Sequence, residues 1–289
     1  ASQVAVAFVL LVKKLTFKIQ EELIHKIIRG RREILEIRPT EPQVLNFSRL
    51  LINELRKKTC VHPQTLIKEV NKLISDYRRL ENIIVKKGAG LLKPGENIFT
   101  HCHSSLVEKI FVEAKNRKKR FHVYNSETRP LFQGRITSNN LVKNQIKVTQ
   151  VCDSAAAFFI SDHSGDDIRI NKVFLGADVV GLNGWAVNKI GSFGLALAAW
   201  ESKIPLYVAA SLLKIDTLSK KRITIPLEKR DSSEIWPEAP KGLSLENYAF
   251  DYIPSKFITG FITEFGLIKP KDIAKTVKKY YPDLFKRYV

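Results

Sequence analysis

Apolar residues recur at helical intervals from the start of the chain to about residue 87. Leu23, Ile27 and Ile28 form one set, Leu50, Leu51 and Leu55 another, and Leu66, Val70, Leu73 and Ile74 a third. Such spacing puts each set on one helical face, where it can be buried against a neighbour. Gly30, Pro39, Pro42 and Pro63 punctuate the pattern, so the stretch predicts a bundle of about four helices joined by short turns. Thr40 and Asn46 stand where N-caps are expected, because a short polar side chain can accept from the free N–H groups of a first turn.

The rhythm changes at Lys86-Lys87-Gly88-Ala89-Gly90. Beyond it, short β-rich runs alternate with helical ones. Strands are expected at Asn97–His101, Arg120–Ser126, Ile146–Cys152, Lys172–Ala177 and Pro205–Ala210. Helices are expected at Ser105–Asn116, Ala155–Ile160 and Lys189–Trp200, with a last strand at Phe257–Thr263 and a closing helix at Ile273–Tyr281. Strand–helix units of this length fold as a parallel sheet covered on both faces. The expected organisation is α/β, with an N-terminal helical bundle over 1–87 followed by a Rossmann-like parallel-sheet domain over 88–289.

Composition narrows the partner. The chain has 289 residues, 44% of them hydrophobic, with 14 Gly and 12 Pro, which excludes a disordered or fibrous chain and leaves ample material for a core. Its formal charge of +19 points to an anionic partner. Residues 1–90 carry 18 Lys and Arg against 9 Asp and Glu, so the excess is spread along the chain and forms no basic tail. Runs such as Arg117-Lys118-Lys119-Arg120 and Lys220-Lys221-Arg222 are short and flank apolar segments. No zinc-finger spacing, RNA-recognition signature or Arg/Gly repeat accompanies them. A phosphorylated small molecule therefore fits better than a nucleic acid. The three cysteines, Cys60, Cys102 and Cys152, cannot form a disulfide framework and suggest a reducing, cytosolic setting. The apolar run Val4 to Val12 is too short to span a membrane and lacks the flanks of a signal peptide. The chain starts at Ala and contains no Met, so it is expected to begin inside a longer polypeptide.

In an open parallel sheet, ligands bind where strands end and helices begin. The residues at those exits are His101-Cys102-His103-Ser104-Ser105, Glu127-Thr128-Arg129-Pro130, Asp153-Ser154, Asp178 and Ser211 to Lys214. Cys102 stands before a helix that Ser105 and Glu108 would open as a capping box, where the helix dipole favours thiolate. The alternative for Cys102 is a small buried filler. His101 and His103 flank it too closely to share a tetrahedral metal with it, so no metal is expected. Asp178 leaves an apolar strand and suits proton transfer, or serves equally as a cap or turn residue. Asp153 reads as the cap of the helix that follows it, and Asn183-Gly184 as a tight turn. Lys189, at the expected start of a helix, resembles a phosphate cradle; Arg129 either clamps a second anion or pairs with an acidic neighbour.

Together these stations resemble one family. Thr100-His101-Cys102-His103-Ser104, Glu127-Thr128-Arg129-Pro130 with Gln133-Gly134, Asp153-Ser154-Ala155, Gly176-Ala177-Asp178, Asn183-Gly184 and Asn188-Lys189-Ile190-Gly191 occur in matching order. They look like the family that groups the α, β and δ subunits of translation initiation factor 2B with isomerases of ribose 1,5-bisphosphate and of 5-methylthioribose 1-phosphate. The pair Cys102 and Asp178 favours the isomerases, and Thr100 to Ser104 with Arg38-Pro39-Thr40 looks closer to the archaeal ribose-1,5-bisphosphate type. The resemblance implies a cytoplasmic enzyme of nucleotide metabolism that turns ribose 1,5-bisphosphate into ribulose 1,5-bisphosphate without a cofactor. In it Cys102 would take the C2 proton and Asp178 would move protons between oxygens. Arg38, Ser104, Ser105, Leu106, Asn188, Lys189 and Lys214 would bind the substrate. An Arg-Gly-Ala-like phosphate-binding turn would fall at or just before Ala1-Ser2. A homo-oligomer, a dimer or hexamer, is implied as well. The alternative is a non-enzymatic regulatory subunit that binds translation initiation factor 2.

Overall fold

The computed structural model describes residues 20–37, 42–57, 63–161, 168–217 and 227–285. Among these residues, three helices precede the first strand: α1 (Gln20–Ile37), α2 (Pro42–Arg56) and α3 (Pro63–Leu91). Pro42 opens α2 where its missing N–H costs nothing. The first two expected apolar faces meet: Leu23, Ile24 and Ile27 pack with Val44, Phe47, Leu51, Ile52 and Leu55 around Tyr77, while the side chains of Leu66, Val70, Leu73 and Ile74 lie outside those described. Burial of each large side chain contributes roughly 1.5–3 kcal/mol.

Asn46 is not a cap. It lies within α2, fully buried, and its Nδ2 donates to the carbonyls of Leu213 (2.9 Å) and Ile215 (2.8 Å), so it ties the helical layer to a loop 167 residues away. Thr40 lies outside the described residues. The helix α3 continues through Lys87 and Gly88 to Leu91, so the expected boundary at 87/88 falls inside a helix. Gly88 belongs there for close packing: a Cβ would sit 2.5 Å from Ile110 Cδ1 on the next helix. No helix among the described residues is long and apolar enough to cross a membrane.

The rest is an α/β layer structure. In chain order it runs β1 (Asn97–His101), α4 (Ser105–Asn116), β2 (His122–Ser126), α5 (Gln133–Lys143), β3 (Lys147–Val151), α6 (Ala156–Ile160) and β4 (Lys172–Leu175). It continues through β5 (Val179–Gly181), β6 (Ala186–Lys189), α7 (Ser192–Glu201), β7 (Leu206–Ala209) and β8 (Ile215–Asp216). Last come β9 (Phe250–Ile253), β10 (Gly260–Thr263), β11 (Gly266–Ile268) and α8 (Ile273–Tyr280). Seven strands form one sheet in the order β11-β10-β7-β4-β1-β2-β3, parallel except for β11. Its central strand β4 is buried at every position, as parallel strands covered on both faces should be.

A second sheet, in the order β8-β5-β6-β9, has no counterpart in the sequence reading. Its strands are two to four residues long, too short for a period to show. They change two expectations. Lys189 ends β6, and α7 starts only at Ser192. The expected last strand starts at Gly260, after a short 3₁₀ turn at Ser255–Phe257. The turn at Asn183-Gly184 is present: Gly184 has φ 74° and donates to the carbonyl of Gly181 at 2.9 Å.

Candidate active site

The chain leaves β1 for β2 and β3 on one side of the large sheet, then returns to place β4 on the other. That reversal opens a crevice at the carboxyl ends of β1 and β4, the usual ligand position in such sheets. A cleft lies there. One wall is His103, Ser104, Ser105 and Leu106, where β1 turns into α4; the other is Gly176, Ala177 and Asp178, at the exit of β4. Asn188 from β6 and Ser211 and Lys214 after β7 complete that side.

The first turn of α4 faces the cleft and leaves free N–H groups there. Ser104, not Ser105, is its N-cap: Ser104 Oγ accepts from the Val107 N–H at 3.4 Å, and Ser105 is the first helical residue. Glu108 therefore closes no capping box with Ser105 and instead accepts from Asn140 Nδ2 at 2.9 Å. On that side Lys214 donates to the Ala177 carbonyl at 2.5 Å, next to Asp178. The Asp178 N–H bonds to Val187 O at 2.8 Å, which fixes this residue between the two sheets. Asn188 is buried, and its Nδ2 donates to Ser192 Oγ at 2.8 Å.

Cys102 sits one residue beyond β1 with φ 67°, a left-handed conformation uncommon outside glycine. Its N–H donates to Thr128 Oγ1 at 2.9 Å and its carbonyl accepts from Thr137 Oγ1 at 2.9 Å. The expectation of a thiolate is not met in the free protein. Burial pushes the thiol up to about 11, and the charges of Asp178 and Asp153 push the same way. Lys189 and the His103 N–H act against them but do not win. Taking a small anion out of water costs more than a helix end and one nearby cation return.

The neighbouring histidines have separate partners. His101 is buried and held neutral mainly by desolvation; Nε2 donates to Ile190 O at 2.8 Å, and Ser126 Oγ lies 2.5 Å from Nδ1. His103 Nδ1 lies 3.0 Å from Thr137 Oγ1. Lys189 does not open a helix; its ammonium lies 4.9 Å from the centre of the Phe250 ring and acts on Cys102 through its charge.

Arg129 is outside the cleft. Its guanidinium donates to the Ile235 carbonyl at 2.9 Å and forms no ion pair among the described residues; Arg129 lines a separate groove with Ile190 and Tyr248 and a second cavity with His101 and Asp153. Asp153 does not cap the helix after it. Its two oxygens accept from the N–H groups of Thr128 (2.8 Å) and Arg129 (2.6 Å). Arg38 lies outside the described residues, as does Ala1-Ser2.

Two cleft residues escape a search confined to strand exits, Tyr77 and Glu81 of α3. Their spacing of four puts them on one helical face, and that was the available signal. Desolvation, reinforced by the charge of Glu81, raises the Tyr77 hydroxyl and keeps it protonated. Glu81 pairs with Lys109 at 3.0 Å. Behind the cleft, buried Glu264 accepts from Ser211 Oγ (3.0 Å), the Leu212 N–H (3.1 Å) and Tyr281 Oη (2.9 Å), which fixes the turn that carries Lys214.

A family profile for the initiation factor 2 subunit family matches residues 1–270. The chain belongs to the initiation factor 2 subunit family. Within that family it resembles proteins of different names. A methylthioribose-1-phosphate isomerase of Pelotomaculum thermopropionicum is 32% identical, the match covering 95% of this chain and 80% of that protein. A ribose 1,5-bisphosphate isomerase of Methanocaldococcus jannaschii is also 32% identical, over 91% of this chain and 83% of that protein. Among solved structures, a translation initiation factor eIF-2B of Pyrococcus horikoshii superposes with a TM-score of 0.77 and 28% identity, covering 92% of this chain and 88% of that one. The family's mostly parallel sheet with N-terminal helices is the architecture described above.

Proposed function

We propose that this family member is an aldose–ketose isomerase that converts ribose 1,5-bisphosphate into ribulose 1,5-bisphosphate with Cys102 and Asp178. The observation that carries the reading is the position of Cys102: at the exit of β1, directly before the His103 to Leu106 wall of the cleft though not itself one of its lining residues, and within the fields of Asp178 and Lys189. The isomerase names of the relatives support the reaction class. The resemblance of Thr100 to Ser104 and Arg38-Pro39-Thr40 to the ribose-1,5-bisphosphate type supports the bisphosphate over the methylthio sugar.

The raised thiol sets the order of events. With C1 esterified to phosphate, the furanose must open before a proton can leave C2. Cys102 begins protonated, so it gives its proton to the ring oxygen as the bond from that oxygen to C1 breaks. The resulting thiolate, close to Lys189, takes the proton from C2 and leaves an enediol phosphate. Asp178 then removes the hydroxyl proton at C2 while the Cys102 thiol delivers a proton to C1. Transfer from the Asp178 carboxyl to the thiolate restores both groups. The protons balance: one moves from C2 to C1 and one from the C2 hydroxyl to the former ring oxygen. Lys214, Asn188, Ser104, Ser105 and the first turn of α4 hold the sugar phosphate, with Arg38 and Lys189 adding charge for the polyanion. The proposed assembly is a homo-oligomer, either a dimer or a hexamer, and the reaction invokes no cofactor.

The test is to supply ribose 1,5-bisphosphate and 5-methylthioribose 1-phosphate separately and follow the product by phosphorus NMR. Formation of ribulose 1,5-bisphosphate, abolished in Cys102→Ser, supports the proposal; no turnover of either sugar overturns it. The likeness to an initiation factor 2B structure favours a second reading, a regulatory subunit. Specific co-purification with translation initiation factor 2, with both sugars left intact, would establish that reading instead.

A further inference from the structure

The strand ladder ends at His101, so neither backbone group of Cys102 is held by a neighbouring strand. Two threonine hydroxyls hold them instead. Thr128 Oγ1 accepts the Cys102 N–H at 2.9 Å, and Thr137 Oγ1 donates to the Cys102 carbonyl at 2.9 Å. The threonines come from different places, one from the loop after β2 and the other from the second turn of α5. Both are almost completely buried, at 0% and 2% exposure.

Thr128 is itself in an unusual state. Its φ is 64°, in a region that a β-branched residue rarely enters. The Asp153 carboxylate holds it there, accepting the N–H groups of Thr128 and Arg129 at 2.8 and 2.6 Å. A chain of support thus runs from Asp153 through Thr128 to the backbone of Cys102. Strain of this kind persists where the surroundings over-determine it, and it gathers at sites where geometry matters. A left-handed residue between a strand and a helix aims its side chain by its backbone, so fixing both peptide groups of Cys102 fixes where its sulfur stands.

We propose that Thr128 and Thr137 are positioning residues that clamp Cys102 for proton transfer, with Asp153 as the anchor of the clamp. The inference deepens the proposed isomerase reading and rests on it. Both hydroxyls are engaged by the Cys102 backbone, so neither threonine is assigned contact with the sugar.

The experiment uses the full chain and the variants Thr128→Val, Thr128→Ser and Thr137→Val. Valine keeps the shape and removes the hydroxyl; serine restores it. Two quantities are read: turnover of ribose 1,5-bisphosphate, and the pH dependence of iodoacetamide labelling at Cys102, located by peptide mass mapping. Mispositioning of a reacting group by about 1 Å costs on the order of 100-fold in rate. Thr128→Val is therefore expected to lower kcat by roughly 30- to 100-fold with KM within about 3-fold, and Thr128→Ser to stay within about 3-fold of the parent. Thr137→Val is expected to lower kcat about 10-fold. In both valine variants the labelling profile moves to lower pH as the sulfur escapes its buried pose beside Asp178, Asp153 and Lys189. A structural role alone would lower the melting temperature and leave folded-state labelling unchanged.

Unchanged kcat and labelling in Thr128→Val, or a serine variant as slow as the valine one, would overturn the clamp. If Thr128→Val does not fold, Thr137→Val decides by the same two readings. If neither sugar turns over in the parent protein, the isomerase reading fails, and the labelling profiles still decide whether the threonines position Cys102.

Discussion

Gly176 and Ser104 touch across the mouth of the cleft: a Cβ built on the glycine would stand 2.7 Å from the serine Oγ and 2.9 Å from its Cβ. The exit of β4 and the N-cap of α4 are therefore packed backbone against side chain, with no room for a methyl group. Gly176→Ala should displace Ser104, disturb the first turn of α4 and lower kcat/KM by about 10- to 100-fold. Loss of the cap and overpacking together should cost roughly 1–3 kcal/mol. Adding Ser104→Gly to Gly176→Ala makes space for the methyl group and should restore part of the stability. A double-mutant cycle by urea unfolding measures the coupling; additive effects would show that the two residues do not press on each other.

The Cys102 thiol, raised to about 11 by burial, gives a pH signature. A folded-state value above the unfolded one means that the fold favours the protonated form, so its contribution to stability is complete below the unfolded value. It is lost as pH rises through about 11. Cys102→Ser should therefore lose less stability than the parent between about pH 9 and 11. Urea midpoints over that range check it. At neutral pH, Cys102 should label more slowly with iodoacetamide than exposed Cys152 does.

Asp251 closes the N-terminus of α7. One oxygen, Oδ2, accepts from the Gly191 N–H (2.8 Å) and the Phe193 N–H (3.0 Å), while Oδ1 is buried without a hydrogen-bond partner. Burial raises the carboxyl to about 6 against the two N–H bonds that favour the anion. Here too the folded state favours the protonated form, so stability from this group is present below about pH 4 and lost as pH rises through about 6. Asp251→Asn can keep its oxygen on both N–H groups and removes the charge. It should abolish that pH dependence and match or exceed the parent above pH 7, whereas Asp251→Ala should lose about 1 kcal/mol through the missing cap. Thermal melts at several pH values separate the two variants.

Asn46 is the strongest test of the link between the layers. Removing its amide in Asn46→Ala leaves the carbonyls of Leu213 and Ile215 without this partner on either side of Lys214. A loss of about 2–4 kcal/mol is expected, for two buried hydrogen bonds and the cavity left behind. Because Lys214 is assigned to substrate binding, KM should rise more than kcat falls. Steady-state kinetics on the folded variant distinguish this from a general loss of active protein.

How much of this is legible in the sequence depends on the range of the forces involved. The limits of β1 and α4 can be read directly, because strand and helix periods meet at Cys102 to Ser105 with little ambiguity. The helix α5 is hidden, since of its residues only Gly134, Thr137 and Leu141 are buried and its pattern reads as polar. The small sheet is hidden because its short strands obtain their partners from distant parts of the chain. At the site, the exits of β1, β4 and β7 supply Ser104, Asp178 and Lys214 as sequence order suggests. The protonation state of Cys102 does not follow from sequence: a helix end is local and visible, whereas the desolvation that outweighs it comes from the completed fold. The surroundings of Arg129 are hidden for a similar reason, because its carbonyl partner Ile235 is 106 residues away.

Glu264 has a consequence for the timing of synthesis. It holds Ser211 and Leu212 from a position about 50 residues further along the chain, on the loop that follows β10. A ribosome that has made everything through Lys214 has made every described cleft residue, but not the carboxylate that fixes their last turn. The cleft can therefore reach its final shape only after the chain through Glu264 has emerged, so a nascent fragment would carry every described cleft residue before the cleft is set.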